Sequence, residues 1–270
     1  LMISILITSY KEPETIARAI QAMLNQNLKD FEIIVSAPDN ETLNVARQYP
    51  EVKIIKDLGK GKPAALNKLF KIAKGDILVL TDGDVYVKDN SIKYLLKHFK
   101  DKDIGAVTAR PISTNNQNKM FGYWAHLLTT GFHYQRTYEQ KNNLPIVASG
   151  YFYAIRSKIV KNIPEDVLAD DAFISFSIIK QGYSIKYEPK AEVYVKYPTT
   201  LPDWIRQKKR TAGRFYQLKK YFNISKSSSF YQEILAGART IFEIQNPLHL
   251  LWFAFLIEMR PYIWFRIFFD

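Results

Sequence analysis

Two carboxylates separated by one glycine, Asp82 and Asp84 in VLTDGDV (79–85), end an apolar run. Two residues apart in extended chain, they point to the same side, where like charges repel unless a cation lies between them. A divalent cation is one resolution and a solvated Asp-Gly turn is the other; the heptapeptide alone does not choose. On the first reading, Gly83 leaves room for a ligand's phosphate or sugar to approach the backbone. A second acidic pair, Asp170 and Asp171, opens the segment DDAFISFSIIKQG. One acid at a helix start only caps it, but two exceed that need, and Asp171 facing the same rim has the chemistry of a general base. Lys62 in GKGKPAALN (59–67) offers a cation to a diphosphate beside glycines that permit close approach.

Other chemistries are disfavoured by what the 270 residues lack. There is no cysteine, no Walker loop and no G-x-G-x-x-G at the first strand-helix turn, and the four histidines have no ligand spacing.

The elements that must position these residues follow from apolar periodicity. ISILIT (3–8), FEIIVSA (31–37), VKII (52–55) and DILVLTD (76–82) read as buried strands of a parallel sheet. Between them Ile16, Ile20, Met23 and Leu24, then Leu66, Leu69, Phe70 and Ala73, follow the helical period, with Gly75 closing the second helix. Strands alternating with such helices predict a doubly wound, Rossmann-like α/β sheet. Ligands bind such sheets beyond the carboxyl ends of the strands, so Thr8–Glu12, Ser36–Asp39, Asp57–Lys62 and Asp82–Asp84 share one rim. That placement moves VLTDGDV away from a bare turn. Further on, the sequence predicts a strand at 104–111, an aromatic helix at 117–140, a helix from Asp171 to Gly182, two short strands (SIKYEP and EVYVKYP) and a basic helix after Pro202.

The formal charge of +12 calls for an anionic partner. Much of it is local, since Arg206, Lys208, Lys209, Arg210, Arg214, Lys219 and Lys220 fall in a stretch without an acid between Trp204 and Phe222. The polar break SKSSS (225–229) then divides a body, 1–222, from a C-terminal segment, 223–270. From Ile244 to Ile257 run 14 residues without a formal charge, short of the ~20 that a spanning helix requires. Eight aromatics between Trp252 and Phe269, with Arg260 and Arg266 among them, fit amphipathic helices in a membrane interface. A helix packed on the domain, or the edge of a true transmembrane span, is the alternative. The first residues carry no signal-peptide pattern and read as a strand, so the expected location is cytoplasmic, at the cytoplasmic face of a membrane.

TSYKE (8–12), GKGKPAALN, TDGD (81–84), ADD (169–171) and QKKR (207–210) stand in the order and approximate spacing of family 2 glycosyltransferases, which this sequence resembles over about residues 1 to 215. The resemblance implies a GT-A fold, a nucleotide-diphospho-sugar donor, a glycan or lipid-linked acceptor, a Mg²⁺ or Mn²⁺ cofactor, and transfer with inversion. It implies that Thr8, Tyr10, Glu12 and Asp39 line the nucleoside pocket, that Lys62 lies near base or phosphate, and that Asp82 lies towards ribose and metal. Asp84 is then the principal metal ligand, Asp171 the base, and Gln207 and Arg210 the diphosphate contacts. Thr211 stands where processive members carry tryptophan, which points to a single or limited transfer. Two rivals remain from other classes: a Mg²⁺-dependent phosphatase of the haloacid dehalogenase type, and a basic nucleic-acid- or lipid-binding module. Three strand-helix units before TDGD argue against the phosphatase, and basic residues beside the diphosphate site and an aromatic terminus argue for a membrane surface over nucleic acid.

Overall fold

The computed structural model describes residues 1–222 and 240–269, so the expected break at 225–229 lies outside the described residues. The chain forms two compact units, Leu1–Pro111 with Asn143–Val195, and Ile112–Asn142 with Lys196–Asp270. The boundary expected after residue 222 falls within the second unit.

In the first unit the predicted alternation is present: β1 (Ile3–Thr8), α1 (Ile16–Leu24), β2 (Phe31–Ala37), α2 (Asn40–Ala46), β3 (Val52–Lys56), α3 (Lys62–Ile72) and β4 (Ile77–Asp82). These β-branched strands form the parallel half of an α/β sheet because crossover helices cover them, and Ile5, Leu6, Ile7, Ile33 and Val79 are almost wholly buried. Helix α1 turns Ile16, Ala19, Ile20 and Met23 inward, one apolar stripe at helical spacing. The register sets Thr8 beside Ser36 on one flank and beside Asp82 on the other. Three strands therefore deliver polar residues to one row at their carboxyl ends.

After β5 (Tyr86–Val87), α4 (Ser91–Leu96) and β6 (Ile104–Ser113) come α5 (Met120–Lys141), β7 (Phe152–Arg156), α6 (Asp170–Lys180) and β8 (Ser184–Val195). Among the described residues the sheet has eight strands in the order β3-β2-β1-β4-β7-β6-β8-β5. No strand is expected from the sequence at 152–156, yet β7 lies antiparallel between β4 and β6, pairing Leu80 with Tyr153 and Val107 with Ala154.

Two expectations about local structure are corrected. The two short strands at 184–198 are one strand running through Pro189; the next N–H, of Lys190, is satisfied by the Glu188 carboxylate at 2.9 Å, so the chain continues without a stop. Gly75 does not close α3, which ends at Ile72 with Ala73 extended. A Cβ at Gly75 would lie 2.4 Å from the Ser4 backbone nitrogen, so glycine is there to let this segment lie against β1. Gly182, by contrast, has φ of 86° and ends α6 in a Schellman arrangement, with N–H donors of Gly182 and Tyr183 on the carbonyls of Ile179 and Ile178.

The second unit gathers α5, α7 (Leu201–Tyr221) and α8 (Pro247–Phe269). Thr200 caps α7 by accepting from the Asp203 N–H, and Pro202 occupies its first turn, where a missing N–H costs nothing. Trp124 and Trp204 are fully buried with ring centroids 5.4 Å apart. The Trp124 indole donates to the Trp252 carbonyl at 2.7 Å, and Tyr123 stacks on His249 at 4.2 Å. One face of α8 thus packs on α5 and α7, while Leu248, Leu251 and Ile257 are exposed. Among the described residues no helix is long and apolar enough to cross a membrane.

Candidate active site

The polar row at the end of β1 and β4 is held by side chains. Thr8 Oγ1 donates to Asp82 Oδ1 at 3.2 Å. Lys62 opens α3 behind Gly59 and Gly61, whose φ values of 67° and 98° are open to glycine, and its Nζ lies 2.6 Å from Asp82 Oδ1. The same ammonium is 3.5 Å from Asp170 Oδ2. Asn67, last residue of GKGKPAALN, explains that meeting. Its amide donates to the Ile163 carbonyl at 2.7 Å and accepts from the Ile163 N–H at 2.8 Å, which ties the segment leading to α6 against α3. Burial opposes charge on Lys62, but Asp170 and Asp82 outweigh it and hold the ammonium well above the usual lysine range.

Asp170 is the buried member of the acidic pair, and its Oδ2 has no hydrogen-bond partner among the described residues. Asp171, half-buried in the first turn of α6, lies against the loop before β7. A Cβ at Gly150 would fall 2.9 Å from Asp171 Oδ2, so only glycine permits that approach without a shift. Ser175 fixes the turn by donating to the Asp171 carbonyl at 2.7 Å and accepting from the Ala148 N–H at 2.9 Å. Below them Tyr153 on β7 is buried with no hydrogen-bond partner for its hydroxyl, and burial, then Asp170, Asp171 and Asp82, push its pKa up. The sequence singles out the acidic pair but gives a role to Asp171 alone, and it gives none to Tyr153. Tyr153 carries no motif there, and the pair of acids shows only that one exceeds a cap.

Asp84 is exposed, one residue past a buried Gly83. The space beside that glycine is filled by the chain itself: a Cβ would lie 2.4 Å from Ser9 Oγ and 2.6 Å from Glu12 Oε2. The room read from the sequence as a ligand's approach is taken by this pair, in which the Ser9 hydroxyl donates to the Glu12 carboxylate. Burial raises the Glu12 pKa to about 7, with Asp84 and Asp82 adding to the rise and the Ser9 bond opposing it.

Tyr10 is exposed. Asp39 has both carboxylate oxygens on backbone donors, Thr42 N–H and Lys11 N–H, each at 2.9 Å. It caps α2 and pins Lys11 at φ of 55°, a conformation that non-glycine residues rarely adopt. Burial works against ionised Asp39, but these bonds outweigh it and lower its pKa. Asp57 shapes the next loop by accepting from Ser36 Oγ and the Gly59 N–H, each at 2.8 Å. Gln207 and Arg210 lie on α7 in the second unit; the Arg210 side chain is outside the described residues.

Among the described residues no group of three His, Cys, Asp or Glu forms a ready cage for a metal. Asp82 and Asp84 still fit Mg²⁺ or Mn²⁺, because such ions take hard oxygen donors and are commonly held by one or two carboxylates plus substrate phosphates. Asp82 already has one oxygen on Lys62, and Asp84 is exposed two residues beyond it. These residues suit an ion shared with a phosphate rather than one enclosed by protein.

Comparison with known proteins agrees with this architecture. The family model described as "Glycosyltransferase like family 2" matches residues 2–213. The poly-beta-1,6-N-acetyl-D-glucosamine synthase of Staphylococcus aureus strain COL is 29% identical over 251 residues, covering 86% of this chain and 60% of the relative. The chain thus spans about three fifths of that protein's length. A probable glycosyltransferase, YdaM of Bacillus subtilis, is 25% identical over 284 residues, covering 92% of this chain and 68% of its own. Among solved structures, the mannosyltransferase PcManGT of Pyrobaculum calidifontis, in complex with GDP-Man and Mn²⁺, superposes with a TM-score of 0.68 at 18% identity, covering 96% of this chain and 81% of the other. That likeness shows a shared GT-A fold, and neither the phosphatase nor the binding-module alternative is favoured. With residues 2–213 of its 270 inside the match, the chain belongs to the family described as glycosyltransferase like family 2.

Proposed function

We propose that this chain transfers a sugar, with inversion, from a nucleotide-diphospho-sugar to a hydroxyl of a glycan or lipid-linked acceptor. The observation that carries the reading is the convergence of Lys62, Asp82 and Asp170 at the β4 rim, with Asp84 and Asp171 on the flanking turns. Asp84 and Asp82 would hold Mg²⁺ or Mn²⁺ together with the donor's phosphates. When bound, that ion neutralises charge developing on the leaving diphosphate.

The chain's own residues supply the rest. Lys62 adds a second positive charge at the diphosphate, and the family resemblance assigns Gln207 and Arg210 to diphosphate contact as well. Tyr10 offers its exposed ring to the base, while Thr8, Glu12 and Asp39 shape the nucleoside pocket by holding the 8–12 loop. Asp171 accepts the acceptor's hydroxyl proton as the new glycosidic C–O bond forms and the sugar–phosphate C–O bond breaks. Attack from the face opposite the leaving group inverts the anomeric centre in one displacement. Thr211 in place of the tryptophan of processive members supports limited transfer.

Contact with the cytoplasmic face of an anionic membrane is supported by the basic α7 and by exposed Leu248, Leu251 and Ile257 on α8, although the other face of that helix is packed. Thermal-shift screening against nucleotide sugars with and without Mn²⁺ tests the donor assignment, because a specific binder raises Tm with its affinity. The expected result is a Mn²⁺-dependent rise with one or a few donors; no rise with any donor would remove the assignment. Salt-sensitive binding to acidic liposomes, without binding to oligonucleotides, is the corresponding result for the membrane.

A further inference from the structure

The Asp82 carboxylate that would face a divalent ion is paired within the chain itself. Lys62 Nζ sits 2.6 Å from its Oδ1, while Thr8 donates to the same oxygen. A cation at Asp82 and an ammonium at that distance repel each other, so a metal gains full use of this carboxylate only as the lysine moves off it. A second acceptor lies within reach: Asp170 Oδ2, 3.5 Å from the same ammonium, is buried and has no hydrogen-bond partner among the described residues. The Asn67–Ile163 clamp holds α3 and the approach to α6 together, so Lys62 stays between these two acids.

We propose that Lys62 is a gate on the metal site, occupying Asp82 until a donor diphosphate draws its ammonium away towards phosphate, with Asp170 as its lasting anchor. The inference rests on the glycosyltransferase reading of the site and adds an order to it: the chain binds a divalent ion weakly by itself, and nucleotide and metal bind cooperatively. A fixed positive field would behave differently. If Lys62 merely repelled the ion from a constant position, removing it would strengthen metal binding equally with and without nucleotide. If it exchanges partners, its removal strengthens binding of the ion alone and weakens the ternary complex, so the coupling between the two ligands collapses.

The experiment is titration of the full chain with Mn²⁺, followed by its electron paramagnetic resonance signal, without nucleotide and with saturating UDP or GDP in separate series. The wild-type chain should show coupling of roughly 10-fold or more, within the usual range for linked sites. Lys62→Met should bind Mn²⁺ alone several-fold more tightly and show coupling reduced to about 2-fold or less. Lys62→Arg, which keeps the charge and guards against a folding defect in the first variant, should retain weak binding of Mn²⁺ alone. Equal strengthening in both Lys62→Met series, or Mn²⁺-alone affinity no tighter than wild type, would overturn the gate. Absence of UDP and GDP binding by the wild-type chain with Mn²⁺ present would overturn the donor reading itself, and the gate with it.

Discussion

Asp82 at the β4 rim and Trp124 in α5 are both held in one place, by different physics. Asp82 is gripped by Lys62 and Thr8 through directional contacts of 2.6 and 3.2 Å. Trp124 is fully buried, makes one hydrogen bond to the Trp252 carbonyl, and otherwise meets the rings of Phe121, Trp204 and Phe255. Charge and hydrogen bonds fix an atom to within fractions of an ångström but contribute little net stability, because water competes for the same groups. Ring burial contributes much stability with looser geometry. Substitutions at the rim should therefore cost function first, and substitutions in the aromatic cluster should cost stability first.

The largest effect is expected at the rim. Asp84→Ala should lower Mn²⁺-dependent transfer by about 10³-fold, in keeping with several kcal/mol of charge stabilisation supplied through a metal, while the urea midpoint stays near wild type. Transfer assays beside denaturant melts check both halves. Trp124→Ala probes the other side: loss of a fully buried ring should destabilise the second unit by about 3 to 5 kcal/mol, read as a lower denaturation midpoint. A small stability change there together with lost transfer would reverse the contrast.

Gly83→Ala lies between the two behaviours. Its Cβ must displace Ser9 and Glu12, which packing forbids without a shift, so about 1 to 3 kcal/mol of stability and most activity should go together. Glu12→Gln is the smallest change and has a sign set by pH. In the folded chain Glu12 titrates near 7, against 4.5 for an unperturbed carboxyl, so between those values the folded state keeps a proton that the unfolded chain has lost. Stability from this group is present below about pH 4.5 and falls as pH rises to about 7. The glutamine variant should therefore melt higher than wild type at pH 8 by about 1 kcal/mol, after allowing for solvent screening, and match it at pH 4.

The same contrast explains what was legible in the sequence. β1, β2 and β4 are buried over most of both faces, so their apolar runs are visible without knowing the partners, and their ends locate the rim. The five residues of β7 give a short run between two helices, and their place beside β4 depends on a long-range antiparallel pairing that no local pattern encodes. Roles set by a single contact were harder still. Gly75 reads as a helix stop but serves a close approach to Ser4, and nothing local shows that Asp39 also holds the backbone of Lys11 and Thr42. In the acidic pair the sequence draws attention to Asp171, whereas Asp170 makes the ion pair with Lys62, because which of two adjacent residues turns inward depends on the helix start. For the apolar C-terminal segment the sequence offers a membrane interface or a packed helix, and the packing of α8 on α5 and α7 rests on long-range meetings with Trp124 and Tyr123 that no local pattern encodes.

The most direct test of the account is sugar transfer by Asp171→Asn in a chain shown to be folded, with the donor that gives the largest Mn²⁺-dependent thermal shift. Loss of the base should leave donor binding near wild type and reduce transfer by about 10²- to 10⁴-fold, the usual contribution of a positioned base. Near-normal transfer by the folded variant would contradict the assignment of Asp171 and, with it, the one-displacement mechanism built on this rim.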